Sequence, residues 1–228
     1  QSDRRARYKH TVKGGKIETF TAPNISGDTV TAACAVFTGS ESFTIPLPAM
    51  SAPSDIVLIR RILYMGDGET ATISVNGVKI GRLGARPMAR AAKGFKIWAS
   101  EAVWIPAVVV QKDKSALTVT LTAVDGTSRS SAWFAYAKPA GTPLAMSDLD
   151  PLMYQRARGE LYHNSTISGL PLGIGDTKYK KGLGTNADSR FLFVVAGQSR
   201  LTGKVGVDVL AEASTRVRTR IYTDGKVI

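Results

Sequence analysis

Two short stretches gather the polar and aromatic side chains that could do chemistry on a ligand. Leu161-Tyr162-His163-Asn164-Ser165-Thr166 is polar and aromatic and sits in an expected loop, and Tyr179, Lys181 and Asn186 follow within KYKKGLGTNADS. A tyrosine ring can lie against the apolar face of a pyranose, while His163, Asn164, Lys181 and Asn186 supply donors and acceptors for its hydroxyls. The same residues also suit an ordinary solvated loop. Trp98 and Trp104, in KIWASEAVWIPA, are either stacking platforms or core, since a tryptophan is rarely fully buried. Trp133 falls in a well-formed strand pattern and reads as core.

Other chemistries find less support. Glycoside hydrolysis would need two facing carboxylates. Asp67, Asp125, Asp176, Asp188 and Asp224 all adjoin Gly, Ser or Thr, where a carboxylate bonds its own turn. Glu69, Glu101, Glu160 and Glu212 are scattered, so a pair would have to be assembled in space. The lone Cys34, in TVTAACAVF, reads as a small buried hydrophobe, and neither His10 nor His163 lies near it in sequence. There is no His pair at helix or strand spacing and no Asp-rich calcium loop. Gly182-Leu183-Gly184 lacks the third glycine and the βαβ setting of a dinucleotide loop, so these glycines read as architectural.

The elements that must position these residues are strands. Thr29–Phe37, Ser42–Leu47, Asp55–Tyr64, Ala71–Val75, Val103–Val110, Ala116–Val124 and Ser131–Ala137 are short and rich in β-branched or aromatic residues. Leu117, Val119 and Leu121 alternate with Thr118, Thr120 and Thr122, which predicts one buried and one solvated face. Asn76-Gly77 and Asp125-Gly126 mark tight hairpins, because type I′ turns need positive φ at both central residues. Around Ser147–Glu160, Asp148-Leu149-Asp150-Pro151 predicts at most one helical turn. The expectation is an all-β protein of two tandem β-sandwich, jelly-roll-like modules.

Composition agrees with a folded chain: 43% of its 228 residues are hydrophobic and 21% charged. No apolar run reaches the roughly 18 residues of a membrane span. The net charge is +12, with Arg4, Arg5, Arg7, Lys9 and Lys13 crowded at the N-terminus. Such a charge can attract an anionic glycan, a membrane surface or nucleic acid, or can simply form a solvated face; nucleic acid is the partner not expected here. The start Gln1-Ser2-Asp3-Arg4-Arg5 has neither an apolar leader nor an initiating Met and reads as a processed or trimmed product.

Lys138-Pro139-Ala140-Gly141-Thr142-Pro143 reads as a linker, dividing the chain into modules at about 1–140 and 144–228. In the second module, Tyr179-x-Lys181-Gly182-Leu183-Gly184-x-x-Ala187-x-Ser189 is followed by Gly203-x-Val205-Gly206-Val207-Asp208 and by Asp224-Gly225-Lys226. Strands are expected at Phe191–Val195 and Val205–Val209, and Ser147-Asp148-Leu149 opens the segment. This order resembles the NPCBM domain, a β-sandwich module appended to secreted glycosidases. The resemblance implies carbohydrate binding without catalysis, a catalytic domain elsewhere in the same polypeptide, and a secreted, periplasmic or cell-surface location. Where the family commonly has His, this chain has Asn186. Modules of this kind often hold a structural calcium, and no other cofactor is expected. The family pattern continues past Asp-Gly-Lys, so the second module reads as truncated after Ile228, or completed by another chain. The alternatives are a structural sandwich that packs on a catalytic domain or partner without binding glycan, and a hydrolase with spatially assembled carboxylates.

Overall fold

The computed structural model describes residues 6–7, 11–12, 15–24, 28–47, 52–65, 70–84, 96–110, 115–149, 151, 153–155, 161–186, 188–197, 200–208, 211, 215–223 and 226–227. Its strands begin with β1 Ala6–Arg7, β2 Thr11–Val12, β3 Gly15–Pro23, β4 Thr29–Phe37, β5 Ser40–Pro46, β6 Ser54–Tyr64, β7 Thr70–Val75 and β8 Val78–Leu83. They continue with β9 Ile97–Ile105, β10 Ala116–Asp125, β11 Ser128–Ser130, β12 Ala132–Pro139, β13 Met153–Gln155, β14 Tyr162–His163 and β15 Leu172–Ile174. The last are β16 Thr177–Tyr179, β17 Leu183–Gly184, β18 Arg190–Leu192, β19 Val195–Ala196, β20 Tyr222–Thr223 and β21 Lys226–Val227. The protein is all-β.

Two compact units interleave along the chain. The first comprises Gln1–Pro143 with Leu149–Met153 and Phe191–Ser199; the second comprises Leu144–Asp148, Tyr154–Arg190 and Arg200–Ile228.

In the first unit, sheets ordered β1-β12-β6-β9-β19 and β2-β5-β10-β7-β8 share one apolar core. Ile56, Leu58, Val103 and Trp133 enter it from one sheet, and Phe43, Ile45, Ile73, Leu117, Val119 and Leu121 from the other. Leu117, Val119 and Leu121 face inward while Thr118 and Thr122 stay exposed, as period-two alternation requires. Phe43 and Trp133 meet with ring centroids 5.0 Å apart and tilted by 44°, a geometry that aromatic quadrupoles favour. A third sheet, β11-β4-β3, covers a separate cluster of Cys34, Leu63 and Trp98. The Asn76-Gly77 turn takes the expected positive angles, φ 50° and 81°.

Three strand expectations change. The apolar run Val103–Val110 is split: β9 ends at Ile105, and Ala107–Val110 forms a single helical turn. Pro106 explains the break, because it has no N–H for the ladder and its fixed φ suits a helix start. The Ala107 N–H is capped by Asp55 Oδ1 at 2.8 Å. The expected strand Phe191–Val195 is two pieces, β18 and β19. β19 adds parallel to β9, pairing Val195 with Ala102, and so belongs to the first unit. Residues 205–208 of the expected strand Val205–Val209 form no strand, and Val205 is exposed; Val209 lies outside the described residues.

The described strands lying wholly within the second unit are two-stranded ladders: β14 with β17, β15 with β16, and β20 with β21. No second pair of packed sheets occurs among its described residues. The helical expectation near Ser147 is met by a three-residue 3-10 turn, Met146–Asp148.

Candidate functional site

The candidate surface of the second unit is built on the β14–β17 ladder, which pairs Tyr162 with Gly184 and His163 with Leu183. The chain leaves β14 through Asn164, whose φ of 60° is one that Asn tolerates better than most residues. The Asn164 N–H donates to the Gly182 carbonyl at 2.8 Å, and the Gly182 N–H donates back to Asn164 Oδ1 at 3.3 Å. Gly184 is required by space: a Cβ there would lie 2.2 Å from the Ser165 carbonyl oxygen. The next turn is closed by Thr166, whose hydroxyl accepts the N–H groups of Ser168 and Leu170 at 3.3 and 3.2 Å.

Two of the expected donors hold the chain itself. His163 Nδ1 lies 2.8 Å from the Ser147 carbonyl; a carbonyl only accepts, so Nδ1 carries a proton and donates it, leaving Nε2 as the other ring nitrogen. The Lys181 ammonium pairs with the Asp148 carboxylate, the two side chains being 55% and 27% exposed. Together they pin the Met146–Asp148 turn to the β14–β17 ladder.

Tyr179 ends β16 opposite Leu172 and, like Tyr162, is half-buried. Asn186 lies in a loop where the Ser189 hydroxyl donates to its carbonyl at 2.7 Å and meets the Thr185 hydroxyl at 2.7 Å. A Cβ on Gly206 would come within 2.7 Å of the Ile174 side chain. The Asp208 carbonyl accepts the Ala211 N–H at 2.9 Å. Asp224 and Gly225 lie outside the described residues, but the strands beside them pair Thr223 with Lys226 and Tyr222 with Val227, so a returning strand is present. The sequence motif is therefore largely a set of residues that hold one another. Asp148, as the partner of Lys181, is the member that residue-type reasoning missed.

Comparison with known families identifies this region. Residues 142–228 match the NPCBM/NEW2 domain. The matched segment takes in the Ser147-Asp148-Leu149 opening, both tyrosines and the Lys181–Asp148 pair. No curated protein sequence matches the chain. Among solved structures, the ANXUR1 extracellular domain from Arabidopsis thaliana aligns at 12% identity and a TM-score of 0.37, covering 57% of this chain and 35% of that one. The C-terminal CBM6 of LamC, a marine laminarinase from Zobellia galactanivorans, aligns at 10% identity and a TM-score of 0.28, covering 53% and 90%. A β-glucuronidase from Bacteroides uniformis aligns at 16% identity and a TM-score of 0.35, covering 57% and 14%. The chain spans about a third of the first of these. At such TM-scores the likenesses carry no functional weight.

Outside the NPCBM/NEW2 segment, the two tryptophans that sequence left as platforms or core are core. Trp98 is 2% exposed, donates its indole N–H to the Val30 carbonyl at 2.9 Å, and has the Arg61 guanidinium 5.5 Å from its ring centroid. Trp104 is 6% exposed. Trp98 sits in the cluster that the β11-β4-β3 sheet covers, and at these exposures neither ring offers a free face to a sugar.

Acidic residues do come together in space, but deep in the first unit. Arg60 donates to Glu101 at 2.9 Å, to Ser130 at 2.8 Å and to Ser128 at 2.5 Å, and the Ser130 hydroxyl donates to Glu41 at 3.2 Å. Glu101 also accepts the Gly84 N–H at 2.6 Å. Burial pushes the Glu41 carboxyl up to about 7, although Arg60 pulls the other way. Both carboxylates are sealed from solvent, at 0% and 1% exposure, so no polymer can reach them. Burial also raises the Cys34 thiol to about 11, which keeps it protonated and inert. Among the described residues, no three His, Cys, Asp or Glu side chains converge as a metal site, and no helix is long and apolar enough to cross a membrane.

Proposed function

We propose that residues 142–228 act as a non-catalytic carbohydrate-binding accessory module of a secreted, periplasmic or surface-displayed polysaccharide-processing protein. The observation that carries this reading is the NPCBM/NEW2 match, laid over a ladder surface with two half-buried tyrosines, Tyr162 and Tyr179. In this reading the rings stack on a sugar, and Asn164, Asn186 and His163 Nε2 bond its hydroxyls. Lys181 contributes by fixing the Met146–Asp148 turn. The affinity for one monosaccharide is low, because a small polar ligand buries little apolar area. Tethering to a catalytic domain on the same polypeptide would convert that weak contact into a useful local concentration.

A second reading has one observation in its favour. His163 and Lys181, two of the expected sugar donors, are engaged with Ser147 and Asp148, as in a structural module that packs on a partner and binds no glycan. Isothermal titration of the full chain, guided by an array of neutral and anionic oligosaccharides, decides between them. Carbohydrate binding predicts a saturable signal that survives about 0.5 M salt, where charge attraction is screened. It also predicts a loss of about tenfold or more in affinity for Tyr162→Ala or Tyr179→Ala. Absence of binding across the array, with both proteins folded, favours the structural module.

A further inference from the structure

Residues 215–223 of the second unit, TRVRTRIYT, set Arg216, Arg218 and Arg220 at every second position. No helix, turn or bend interrupts residues 215–221, and the run enters β20 at Tyr222. Along an extended backbone alternate side chains point the same way. Arg216, Arg218, Arg220 and Tyr222 therefore make one row, and Val217, Thr219 and Ile221 the other.

The whole run is open to solvent, with the Tyr222 ring 55% exposed. Elsewhere cations are held by carboxylates: Arg60 by Glu101, Lys181 by Asp148 and Lys16 by Glu18. No ion pair among the described residues takes in an arginine of this row. Sequence offers it little neutralisation either, since Glu212 is the single acidic residue between Asp208 and Asp224. Neighbouring members of the row lie two strand residues apart, roughly 7 Å, so the three guanidinium charges repel one another until an anion lies against them.

The pattern also says which occupant fits. Exposed Val217 and Ile221 give the run the look of a strand awaiting a partner. A second copy of the chain is the wrong partner. Antiparallel pairing about Arg218 would set Arg216 against Arg220 and Arg218 against itself, and like charges directly opposite are destabilising. A slip of one residue would set arginines against Val217 and Ile221 instead. An extended polyanion meets the row without either conflict.

We infer that Arg216, Arg218, Arg220 and Tyr222 form a subsite for a polyuronate, a polysaccharide with a carboxylate on each sugar. A planar guanidinium grips a carboxylate with two parallel hydrogen bonds, and the Tyr222 ring offers a stacking face to the terminal pyranose of the bound stretch. The inference rests on the carbohydrate-binding reading of residues 142–228 and names the polymer class that this segment selects.

The test is titration calorimetry of the full chain with polygalacturonate and, separately, with its methyl ester, which keeps the pyranose chain and loses the charge. The expected result at about 0.15 M salt is saturable binding, about tenfold or more tighter for the acid than for the ester. The variant Arg216→Gln/Arg218→Gln/Arg220→Gln should lower affinity for the acid about tenfold or more. Removing the same charge at the N-terminus, with Arg4→Gln/Arg5→Gln/Arg7→Gln, should cost less than about threefold. Tyr222→Ala should cost about threefold. Should the first triple variant fail to fold, Arg218→Gln alone carries the test, with a loss of about threefold. Equal losses in the two triple variants would overturn the inference, because net charge would then act without a site. Equal affinity for acid and ester would overturn it too, and tighter binding of duplex DNA than of polygalacturonate would assign the row to nucleic acid. Binding of the ester or of neutral sugars that depends on Tyr162 and Tyr179 and ignores the arginines would remove the subsite and leave the carbohydrate reading standing. Failure to bind acid, ester or any neutral oligosaccharide would end both.

Discussion

Two ion pairs of similar chemistry lie in the two units and do different work. Arg60–Glu101 is enclosed, with side chains 3% and 0% exposed, whereas Lys181–Asp148 stands largely in solvent at 55% and 27%. Water accounts for the difference. A buried pair survives only because further partners satisfy it, here Ser128, Ser130 and the Gly84 N–H. An exposed pair is screened and adds little stability, so its value is positional. The first unit holds together through its core, and polar groups inside it are exacting. The described residues of the second unit form short ladders, and its motif residues act as latches.

The largest effect should come from breaking the enclosed pair. Arg60→Met removes the guanidinium but leaves Glu101 and Glu41 buried, which costs about 3–5 kcal/mol in urea or thermal unfolding. A loss under about 1 kcal/mol would mean that the carboxylates find water or protons easily, and the contrast between the two units would weaken.

Glu41 sharpens the same contrast through pH. Its folded value lies near 7 against an ordinary 4.5, so between these limits the folded state binds more protons than the unfolded chain. Stability therefore falls as pH rises from about 4.5 to 7, by an amount on the order of 3 kcal/mol, and levels off above. Relative to Glu41→Gln, the wild type should lose stability across that window. Parallel curves for the two proteins would show that Glu41 titrates normally.

How much of this was legible in sequence differs between the units for a physical reason. Local chemistry could be read. Asn76-Gly77 states its own turn, and the Leu117-Val119-Leu121 alternation states its own buried face. Pro106 was an available signal that the strand ends at Ile105. What could not be read is set by register between distant strands. Arg60 and Glu101 are 41 positions apart, and Ser130 and Glu41 are 89 apart, so their network exists only once three sheets are in place. Trp98 stayed open between platform and core because nothing nearby in sequence shows that the sheet containing β3 and β4 covers it. In the second unit the family motif could be recognised as a string, but its meaning was hidden. Asp148 and Lys181 lie 33 positions apart and act as one device.

A smaller effect tests the close packing beneath that device. Gly184→Ala would place a methyl 2.2 Å from the Ser165 carbonyl oxygen, forcing the β14–β17 ladder apart at a cost of about 1–3 kcal/mol. Limited proteolysis around Tyr162 should accelerate while the first unit keeps its unfolding midpoint. If both units lose stability together, they unfold as one cooperative body.

The smallest effect bears most directly on function. A double-mutant cycle of Lys181→Gln and Asp148→Asn should give a coupling of about 0.2–1 kcal/mol that shrinks with salt, as an exposed pair requires. Stability alone would then rank the latch as negligible. Its positional role predicts that each single variant still weakens glycan binding about threefold or more, because the Met146–Asp148 turn loses one of its two anchors and His163 alone remains to hold it. The conservative Lys181→Arg, which restores a cation at the same place, should recover most of that affinity. Rescue by arginine separates a latch from a direct ligand contact: a latch needs only charge and reach, whereas a sugar-contacting ammonium is a compact donor that the wider guanidinium fork does not reproduce.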